Sequence, residues 1–265
     1  MNAPLTDAAL AGATTAPVLD ASGLSFAHAG AGTVFDGISL AIRRREIVAL
    51  LGSSGCGKST LLRVLAGLEK PAAGEVRFLG QAQAAPHPRS ALVFQQPSLL
   101  PWLRLADNVG FGLDFSHQPH AGKDALRYRI AAAIEAVGLA GREAAYPAQL
   151  SGGMAHPAAL ARALAREPEL LFADEPFSAL DAITRAEMQA LLVDVVHRWH
   201  SAVLLVTHDI DEAILVADRI LLMGGRPGHL VQEWTVDIPR NREDHPDAVA
   251  GLRLAILAAL RHASP

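Results

Sequence analysis

The stretch that decides the fold is "EIVALLGSSGCGKSTLLRVLAGL", which runs from Glu46 to Leu68. It begins with an apolar run typical of a short buried strand, Glu46–Gly52. Its second half places Leu and Val at helical spacing, and Gly67 suits the C-terminal end of that helix. The residues between these two runs are rich in glycine and serine. The sequence therefore predicts a strand, a glycine-rich loop and a helix in direct succession.

The loop "GSSGCGKST" matches the P-loop pattern G-x-x-x-x-G-K-[ST] between the strand and helix that this motif requires. Its glycines let backbone amides surround phosphate oxygens, and the helix N-terminus adds its positive dipole end. We expect Lys58 to reach the β and γ phosphates of a bound nucleotide, Ser59 to bind Mg²⁺ and Thr60 to add a hydroxyl contact. The predicted cofactor-binding residues are Gly52, Ser53, Ser54, Gly55, Cys56, Gly57, Lys58, Ser59 and Thr60. The flanking elements disfavour the alternative, a glycine-serine turn with a surface lysine.

Composition excludes several classes of protein. The chain has 265 residues, 51% of them apolar and 5% aromatic, which is typical of a folded protein with a sizeable core. The net charge of −4 gives no basic excess for nucleic acid, and the single cysteine excludes an internal disulfide. No apolar run approaches the roughly 18 residues of a membrane span, and no Lys or Arg precedes Arg43 to form a secretory signal. We therefore expect a cytosolic protein.

The rest of the chain alternates apolar runs with helical segments. Runs within residues 90–96, 169–175 and 202–209 are typical of buried strands, and residues 97–166 have a mainly helical, alanine-rich pattern. The alternation predicts an α/β fold with a mainly parallel sheet and helices on both faces. The expected divisions are a flexible tail over 1–18, a main domain over 19–240 with a helical lobe over 97–166, and a short C-terminal helix within 241–265.

Two acids follow the apolar run in "ELLFADEP". A P-loop that hydrolyses ATP needs a carboxylate on the magnesium side and a group that activates water. We expect Asp174 to hold Mg²⁺ through water and Glu175 to orient or deprotonate the attacking water. In isolation such a pair is usually a solvated strand end. After an apolar strand in a P-loop chain, the catalytic interpretation is favoured.

The P-loop, "LSGGM", Asp174–Glu175 and "VTHD", in that order, resemble the ATP-binding subunit of ABC transporters over residues 19–239. The resemblance implies a P-loop NTPase (RecA-like) fold, with a mainly parallel core sheet, an antiparallel β region and an inserted α-helical subdomain. It also implies a homodimer in the ATP-bound state, in which two subunits pair head to tail. The signature residues Ser151, Gly152 and Gly153 of one subunit then contact the γ phosphate held by the other.

Three further positions match the same family. Gln95, in "VFQQPSLLPW", resembles the Q-loop glutamine, which senses Mg²⁺ and the water and links to the membrane subunit. Ser178–Asp181 resembles the D-loop that crosses the dimer interface, and His208 resembles the switch histidine that contacts the γ phosphate. Each has an ordinary alternative: a solvated glutamine, a helix N-cap at Ser178, and a strand-end histidine that caps the next helix.

The adenine position departs from the family pattern. The family usually stacks adenine on an aromatic residue upstream of the P-loop. Counting back places His28 there, with Phe26 as the second candidate. Imidazole offers less stacking area than tyrosine, so we expect weaker nucleotide affinity, and a surface-turn histidine is an equal alternative.

The signature segment also departs from the family, which carries polar and basic residues where this chain has Ala155, His156 and Pro157. If Ser151 is the N-cap, Pro157 lies inside the helix and costs about 3 kcal/mol. If the helix begins later, Pro157 falls in its first turn and costs little. Our hypothesis is that this departure slows hydrolysis while leaving ATP binding nearly intact.

Two segments narrow the family further. "LLPWLRLADNVGFGL" and the turn Arg226–Gly228 resemble the nitrate, sulfonate and taurine importers, and the chain ends too soon for the regulatory domain of the maltose-type ATPases. The resemblance implies an ATPase peripheral to the cytoplasmic face of the inner membrane. Its partners are integral-membrane permease subunits and, indirectly, a periplasmic or extracellular substrate-binding protein, with no nucleic acid.

Other P-loop classes fit less well. ABC ATPases of DNA repair or translation carry coiled-coil insertions or two cassettes, and this chain is acidic and has neither. A kinase or GTPase leaves the signature unexplained. The main alternative is a nucleotide-binding module with impaired hydrolysis caused by residues 155–157.

Overall fold

The computed structural model describes residues 16–28, 30, 32–116, 118–119 and 121–263. Its strands are β1 Leu19–Ala27, β2 Thr33–Ile42, β3 Ile47–Gly52, β4 Ala73–Phe78, β5 Gln81–Ala82, β6 Ser90–Val93, β7 Leu170–Asp174, β8 Ala202–Val206, β9 Arg219–Gly224 and β10 His229–Thr235. Its helices are α1 Lys58–Leu65, α2 Leu105–Gly110, α3 Lys123–Ala136, α4 Gly152–Leu164, α5 Ala182–Trp199, α6 Ile210–Val216 and α7 Pro246–Ala263, with short 3-10 turns at Pro147–Gln149 and Arg242–Asp244.

The central sheet has six strands in the order β10-β9-β3-β8-β7-β6, and all neighbours are parallel except β10 and β9. Strands β3 and β8 are buried along their whole length, which explains their continuous apolar sequences. In the register, both Leu50 of β3 and Asp174 of β7 lie opposite Val206 of β8. The carboxyl ends of these three strands therefore meet at one edge of the sheet, where the P-loop, the two acids and His208 follow.

A second sheet is antiparallel, with the strand order β2-β1-β4-β5. Its buried side chains, including Phe35 and Phe78, share one core cluster with Leu50 and Phe172 of the central sheet. Val18 is fully buried, and its N–H donates to the Ile42 carbonyl. Of the tail predicted over residues 1–18, residues 1–15 lie outside the described residues, whereas Val18 packs in the core cluster beside this sheet.

Helices α2, α3 and α4 lie between β6 and β7 in the chain and contact one another. The fully buried Asn108 of α2 fastens the preceding loop: its Oδ1 accepts from the Leu100 N–H at 2.7 Å, and its Nδ2 donates to the Leu103 carbonyl at 3.0 Å. The loop that follows β6 is thereby fixed to the helical part of the molecule.

The C-terminal segment packs against α6. Arg242 is buried and donates to the Ile214 carbonyl, and Arg240 donates to the Val216 carbonyl at 3.2 Å. These two carbonyls lie at the end of α6, where helical partners are lacking. Burial lowers the pKa of Arg242 to about 10, and the neighbouring Arg240 adds to this effect.

Within the described ranges, no helix combines the length and apolarity that a bilayer crossing requires.

Helix α4 begins at Gly152, with Ser151 as its N-cap, and contains Pro157 in its interior. The sequence left open whether Pro157 lies inside the helix or in its first turn, and the structure has it inside the helix. The proline has no N–H for the Gly153 carbonyl four residues earlier, and its ring crowds that carbonyl. The helix continues because the residues that follow are buried, among them Ala158, Leu160, Ala161 and Leu164. Tertiary packing therefore outweighs the local cost of the proline.

Replacing Pro157 with Ala is expected to raise the free energy of unfolding by up to about 3 kcal/mol, because the helix regains one hydrogen bond and loses a steric clash. Urea denaturation of the two proteins measures the difference. Pro147→Ala is the matched control, since Pro147 opens a 3-10 turn in which its missing N–H costs little. Equal changes for the two variants would contradict the prediction.

Candidate functional site

The P-loop depends on glycine at two close approaches. A Cβ on Gly52 would lie 2.2 Å from the Met223 carbonyl oxygen, and one on Gly57 would lie 2.9 Å from a methyl group of Val34. Gly57 is also the N-cap of α1 and has a left-handed backbone, with φ of 100°. Any side chain at either position would displace the loop. Cys56 is 3% exposed, and its side chain belongs to the core cluster below this loop.

Lys58 lies beneath this loop, 6% exposed, and its Nζ donates to the Gly52 carbonyl at 2.8 Å and to the Ser53 carbonyl at 3.0 Å. The ammonium group therefore lies against the loop whose amides are predicted to receive phosphate. Beside it, Ser59 Oγ donates to Asp174 Oδ1 at 3.0 Å. The structure thus joins the P-loop to the end of β7 through one hydrogen bond.

Asp174 lies in an environment that disfavours its charge. Burial raises the pKa of its carboxyl group, the hydrogen bond from Ser59 partly offsets this, and the negative charge of Glu175 raises the pKa further. A hydroxyl and a carboxylate are oxygen donors of the kind that Mg²⁺ prefers, and a divalent cation here would stabilise the ionised Asp174. The donor set therefore fits a magnesium ion.

Glu175 and His208 face each other across this edge of the sheet. His208 Nδ1 lies 3.3 Å from Glu175 Oε2, and the Glu175 side chain is 28% exposed. Glu175 has a positive φ of 47°, which is uncommon for a residue other than glycine. The Glu175 N–H donates to the Val206 carbonyl at 2.9 Å, so the strained residue is tied to β8. The pair places a carboxylate and an imidazole together beside the P-loop strand.

Helices α5 and α6 are capped by aspartates. Asp181 accepts from the Ile183 and Thr184 N–H groups, and Asp209 accepts from the N–H groups of the first turn of α6. The hydrogen bonds to Asp181, of which the one from the Thr184 hydroxyl has the largest effect, lower the pKa of its carboxyl group. The alternatives in which Ser178 and His208 serve only as helix caps are therefore wrong, because Asp181 and Asp209 occupy those positions. Ser178 instead donates through Oγ to the Glu175 carbonyl at 2.8 Å.

The signature residues lie at the start of α4. Ser151 and Gly153 are exposed, and the Ser151 side chain caps none of the first N–H groups of the helix. The Met154 N–H donates to the Ser151 carbonyl at 2.9 Å. A Cβ on Gly153 would lie 3.7 Å from Thr184 Cγ2, which places this helix tip beside the start of α5. The side-chain surroundings of Gly152 lie outside the described structure.

The Q-loop, here residues 94–98, is fastened to α4 by two side chains that sequence reasoning missed. His156 Nε2 lies 3.3 Å from the Gln95 carbonyl oxygen, and Arg162 donates to the Pro97 and Ser98 carbonyls at 2.9 and 2.8 Å. The Gln95 residue itself is exposed. Burial lowers the pKa of Arg162. The sequence feature that could have pointed to Arg162 is its position as a basic residue within a helical run of Ala and Leu.

The two adenine candidates have different surroundings. Phe26 is 7% exposed and stacks on Phe35 at a centroid distance of 5.9 Å, so it belongs to the core. His28 is exposed and meets the edge of Phe26 at a centroid distance of 5.1 Å. Of the two rings, His28 is therefore the exposed one.

Comparison with known proteins identifies the family. A family model described as ABC transporter matches residues 35–178, which is more than half of the chain. The chain belongs to the ABC transporter family. It is an ATPase of the ABC type, so the resemblance drawn from the motifs and the P-loop NTPase fold are both confirmed.

The chain also matches curated ATP-binding proteins over most of their length. An aliphatic sulfonates import ATP-binding protein, SsuB 2 of Burkholderia lata, is 44% identical over 258 residues, which cover 97% of this ABC ATPase and 92% of the relative. The protein of the same name from Nocardia farcinica is 51% identical over 230 residues, 86% of this chain and 88% of the relative. Both matches include the segments from which the site is built.

Solved structures match as well. CbiO1 from Clostridium perfringens, part of an ABC transporter complex, superposes with a TM-score of 0.77 at 25% identity and covers 93% of this chain and 99% of its own. The ATP-binding cassette MJ0796, a dimer in a post-hydrolysis state with ADP and Pi, gives a TM-score of 0.69 at 28% identity and covers 82% and 98% of the two chains.

The contacts arrange the predicted site residues in two groups. Lys58, Ser59, Asp174, Glu175 and His208 form one group at the carboxyl edge of the central sheet. The signature, the Q-loop and the D-loop form the other, along α4 and the start of α5. The bond from Ser178 to the Glu175 carbonyl joins the two groups.

Proposed function

We propose that this chain is the ATP-hydrolysing subunit of an importer of aliphatic sulfonates. The observation that carries the proposal is the 44% identity over 97% of the chain to a relative named for sulfonate import. The wider choice among nitrate, sulfonate and taurine import that the sequence left open is narrowed by this relative. The grouping of Lys58, Asp174, Glu175 and His208 supports the hydrolytic part of the proposal.

In the proposed reaction, the loop amides and Lys58 hold the phosphates of ATP. Ser59, Asp174 and Gln95 would hold Mg²⁺, which would neutralise phosphate charge. Glu175 accepts a proton from the attacking water or orients it. His208, whose Nδ1 lies 3.3 Å from the Glu175 carboxylate, orients that carboxylate and contacts the γ phosphate. His28 stacks on adenine. Because imidazole offers less stacking area than tyrosine, we expect modest affinity for ATP.

We further propose that two copies close head to tail on ATP, with Ser151, Gly152 and Gly153 of one copy directed at the γ phosphate on the other. The exposed start of α4, whose N–H groups the Ser151 side chain does not cap, has a positive dipole end that suits an incoming anion. The D-loop residue Asp181 lies beside this helix tip, where it reaches the same interface. The dimeric state of MJ0796 supports the arrangement.

The permease is proposed to dock beside the Q-loop. A cavity of about 420 Å³ lies there, lined by residues that include Phe94, Leu100, Phe111 and Arg162. Phe94, Phe111 and the nearby Trp102 are 45%, 47% and 70% exposed, an unusual display of large apolar groups for a surface in water. We propose that the permease meets this surface at the cytoplasmic face of the membrane and that a substrate-binding protein on the far side delivers the cargo.

Deletion of the gene tests the substrate. We expect the deletion strain to lose growth on an alkanesulfonate as sole sulfur source and to keep growth on sulfate and on nitrate. The wild-type chain should restore growth, and Glu175→Gln should not. Loss of nitrate-dependent growth, with growth on the alkanesulfonate intact, would replace sulfonate with another anion. No finding supports the alternative of a module with impaired hydrolysis, since α4 keeps its N-terminus despite Pro157.

A further inference from the structure

Two charged side chains between the D-loop and the switch histidine take no part in the reaction described above. Arg185 lies in the first turn of α5, directly after the D-loop, and Glu212 lies in the first turn of α6, directly after His208. Glu212 is only 4% exposed. The Arg185 side chain is 34% exposed. Buried carboxylates are rare unless they are paired, so Glu212 calls for a physical reason.

Arg185 reaches from one loop towards the other. Its Nη2 donates to the Leu180 carbonyl in the D-loop at 3.0 Å. Its Nη1 lies 3.7 Å from Asp209 Oδ2, which is longer than a hydrogen bond. Its Nε is buried and has no hydrogen-bond partner among the described residues. The guanidinium group is therefore held on the D-loop side and has an unused donor near α6.

Glu212 presents the complementary group. Its Oε1 is buried and likewise lacks a hydrogen-bond partner within the described part of the chain, while its carboxylate receives a hydrogen bond from the Thr207 side chain. Burial raises the pKa of Glu212 to about 7. The Thr207 hydrogen bond and the charge of Arg185 lower the pKa, and the charges of Asp209 and Glu175 raise it. A buried donor atom and a buried acceptor atom thus both lack a partner among the described residues. Asp209 lies between the two residues, because its Oδ2 is 3.7 Å from Arg185 Nη1 and its Oδ1 accepts from the Glu212 N–H.

The two residues that flank His208 belong to the same network. Thr207 Oγ1 accepts from the Asp209 N–H at 3.0 Å, and Asp209 Oδ1 accepts from the Glu212 N–H at 3.1 Å. The Glu212 carboxylate therefore acts on Thr207, the residue before His208, and Thr207 is in turn bonded to Asp209, the residue after it. Leu180, at the other end of the network, lies in the loop proposed to cross the dimer interface.

We propose that Arg185 and Glu212 are positioning residues that pair through Nε and Oε1 when the dimer closes, so that D-loop movement sets the position of His208. The pairing satisfies both buried groups at once, which favours the closed arrangement over the one described here. The proposal rests on the proposed role of His208 in hydrolysis. It gives the subunit a route by which the partner's arrival at the D-loop is transmitted to the reacting centre of the same chain.

A double-mutant cycle in the full-length chain tests the pair. We expect Arg185→Met and Glu212→Leu each to lower the kcat for ATP by about 10-fold or more, with little change in KM, because a misplaced His208 affects the reaction rather than binding. The double variant should be no slower than the slower single variant. Glu212→Gln keeps an acceptor oxygen and should recover most of the lost kcat. Additive losses, or no recovery in Glu212→Gln, would overturn the proposal.

Matched controls separate this role from a structural one. Glu46 is also a buried carboxylate, paired with Arg219 at 2.9 Å, and Glu46→Gln should lower the Tm while leaving kcat within about 2-fold. A kcat loss in Glu46→Gln equal to that in Glu212→Leu would overturn the proposal. The His208→Ala variant tests the role of His208 separately from the role of the Arg185–Glu212 pair. Unchanged hydrolysis in that variant would contradict the role of His208 itself, whereas lost hydrolysis with normal Arg185→Met and Glu212→Leu variants would contradict the pair alone.

Discussion

Replacement of Glu175 by Gln is expected to lower ATP turnover at saturating nucleotide by about 100- to 10,000-fold, because an amide cannot accept a proton from the attacking water. ATP binding should persist, since the P-loop and Asp174 are unchanged. Glutamine keeps the size and a hydrogen-bonding oxygen of Glu175, so the contact with His208, now 3.3 Å, should also persist. Steady-state phosphate release measures the loss.

The same variant should accumulate as an ATP-bound dimer, because hydrolysis is the step that removes the bridging charge. Size-exclusion chromatography with ATP and Mg²⁺ should show the dimer for Glu175→Gln and mainly monomer for the wild type. Glu187→Gln is the matched control, since Glu187 is exposed on α5 away from the strand ends, and it should behave as the wild type. A Glu175→Gln protein that hydrolyses normally would contradict the catalytic assignment, and one that stays monomeric with bound ATP would contradict the head-to-tail dimer.

Replacement of Lys58 by Met is expected to weaken ATP binding by at least about 100-fold, because two charge-assisted contacts to phosphate are lost. Lys58 also donates to the Gly52 and Ser53 carbonyls, so the loop loses its own support. The loss of the phosphate contacts and the loss of support for the loop both weaken ATP binding. Isothermal titration with a non-hydrolysed ATP analogue measures the change in Kd.

Lys70→Met serves as the control for this prediction, since Lys70 is exposed beyond the end of α1 and should leave the Kd unchanged. A thermal melt of nucleotide-free Lys58→Met separates loss of binding from loss of folding. A folded Lys58→Met protein that binds the analogue as tightly as the wild type would remove Lys58 from the phosphate site.

Local patterns were sufficient for the buried strands and for the P-loop. Strands β3, β7 and β8 are continuous apolar runs bounded by polar residues, and a P-loop is defined by spacing within one segment. The antiparallel sheet came only from the family resemblance. Its strand β4, "AGEVRF", has a weak pattern, and its pairing with β1 joins residues far apart in the chain. Such pairing depends on tertiary packing, which spacing does not encode.

By itself the sequence determined which chemistry this protein carries, because the P-loop, the Asp174–Glu175 pair, the signature and His208 are each short motifs of contiguous residues. The tertiary structure alone decided how they are held: Pro157 inside an intact helix, Phe26 in the core with His28 exposed, and aspartates as the caps of α5 and α6. It alone placed Arg185 and Glu212 on the two helices that follow the D-loop and the switch histidine, each with one buried atom that lacks a partner among the described residues. The physical reason is that burial and hydrogen-bond pairing arise between segments distant in sequence, whereas motif spacing is a property of one segment.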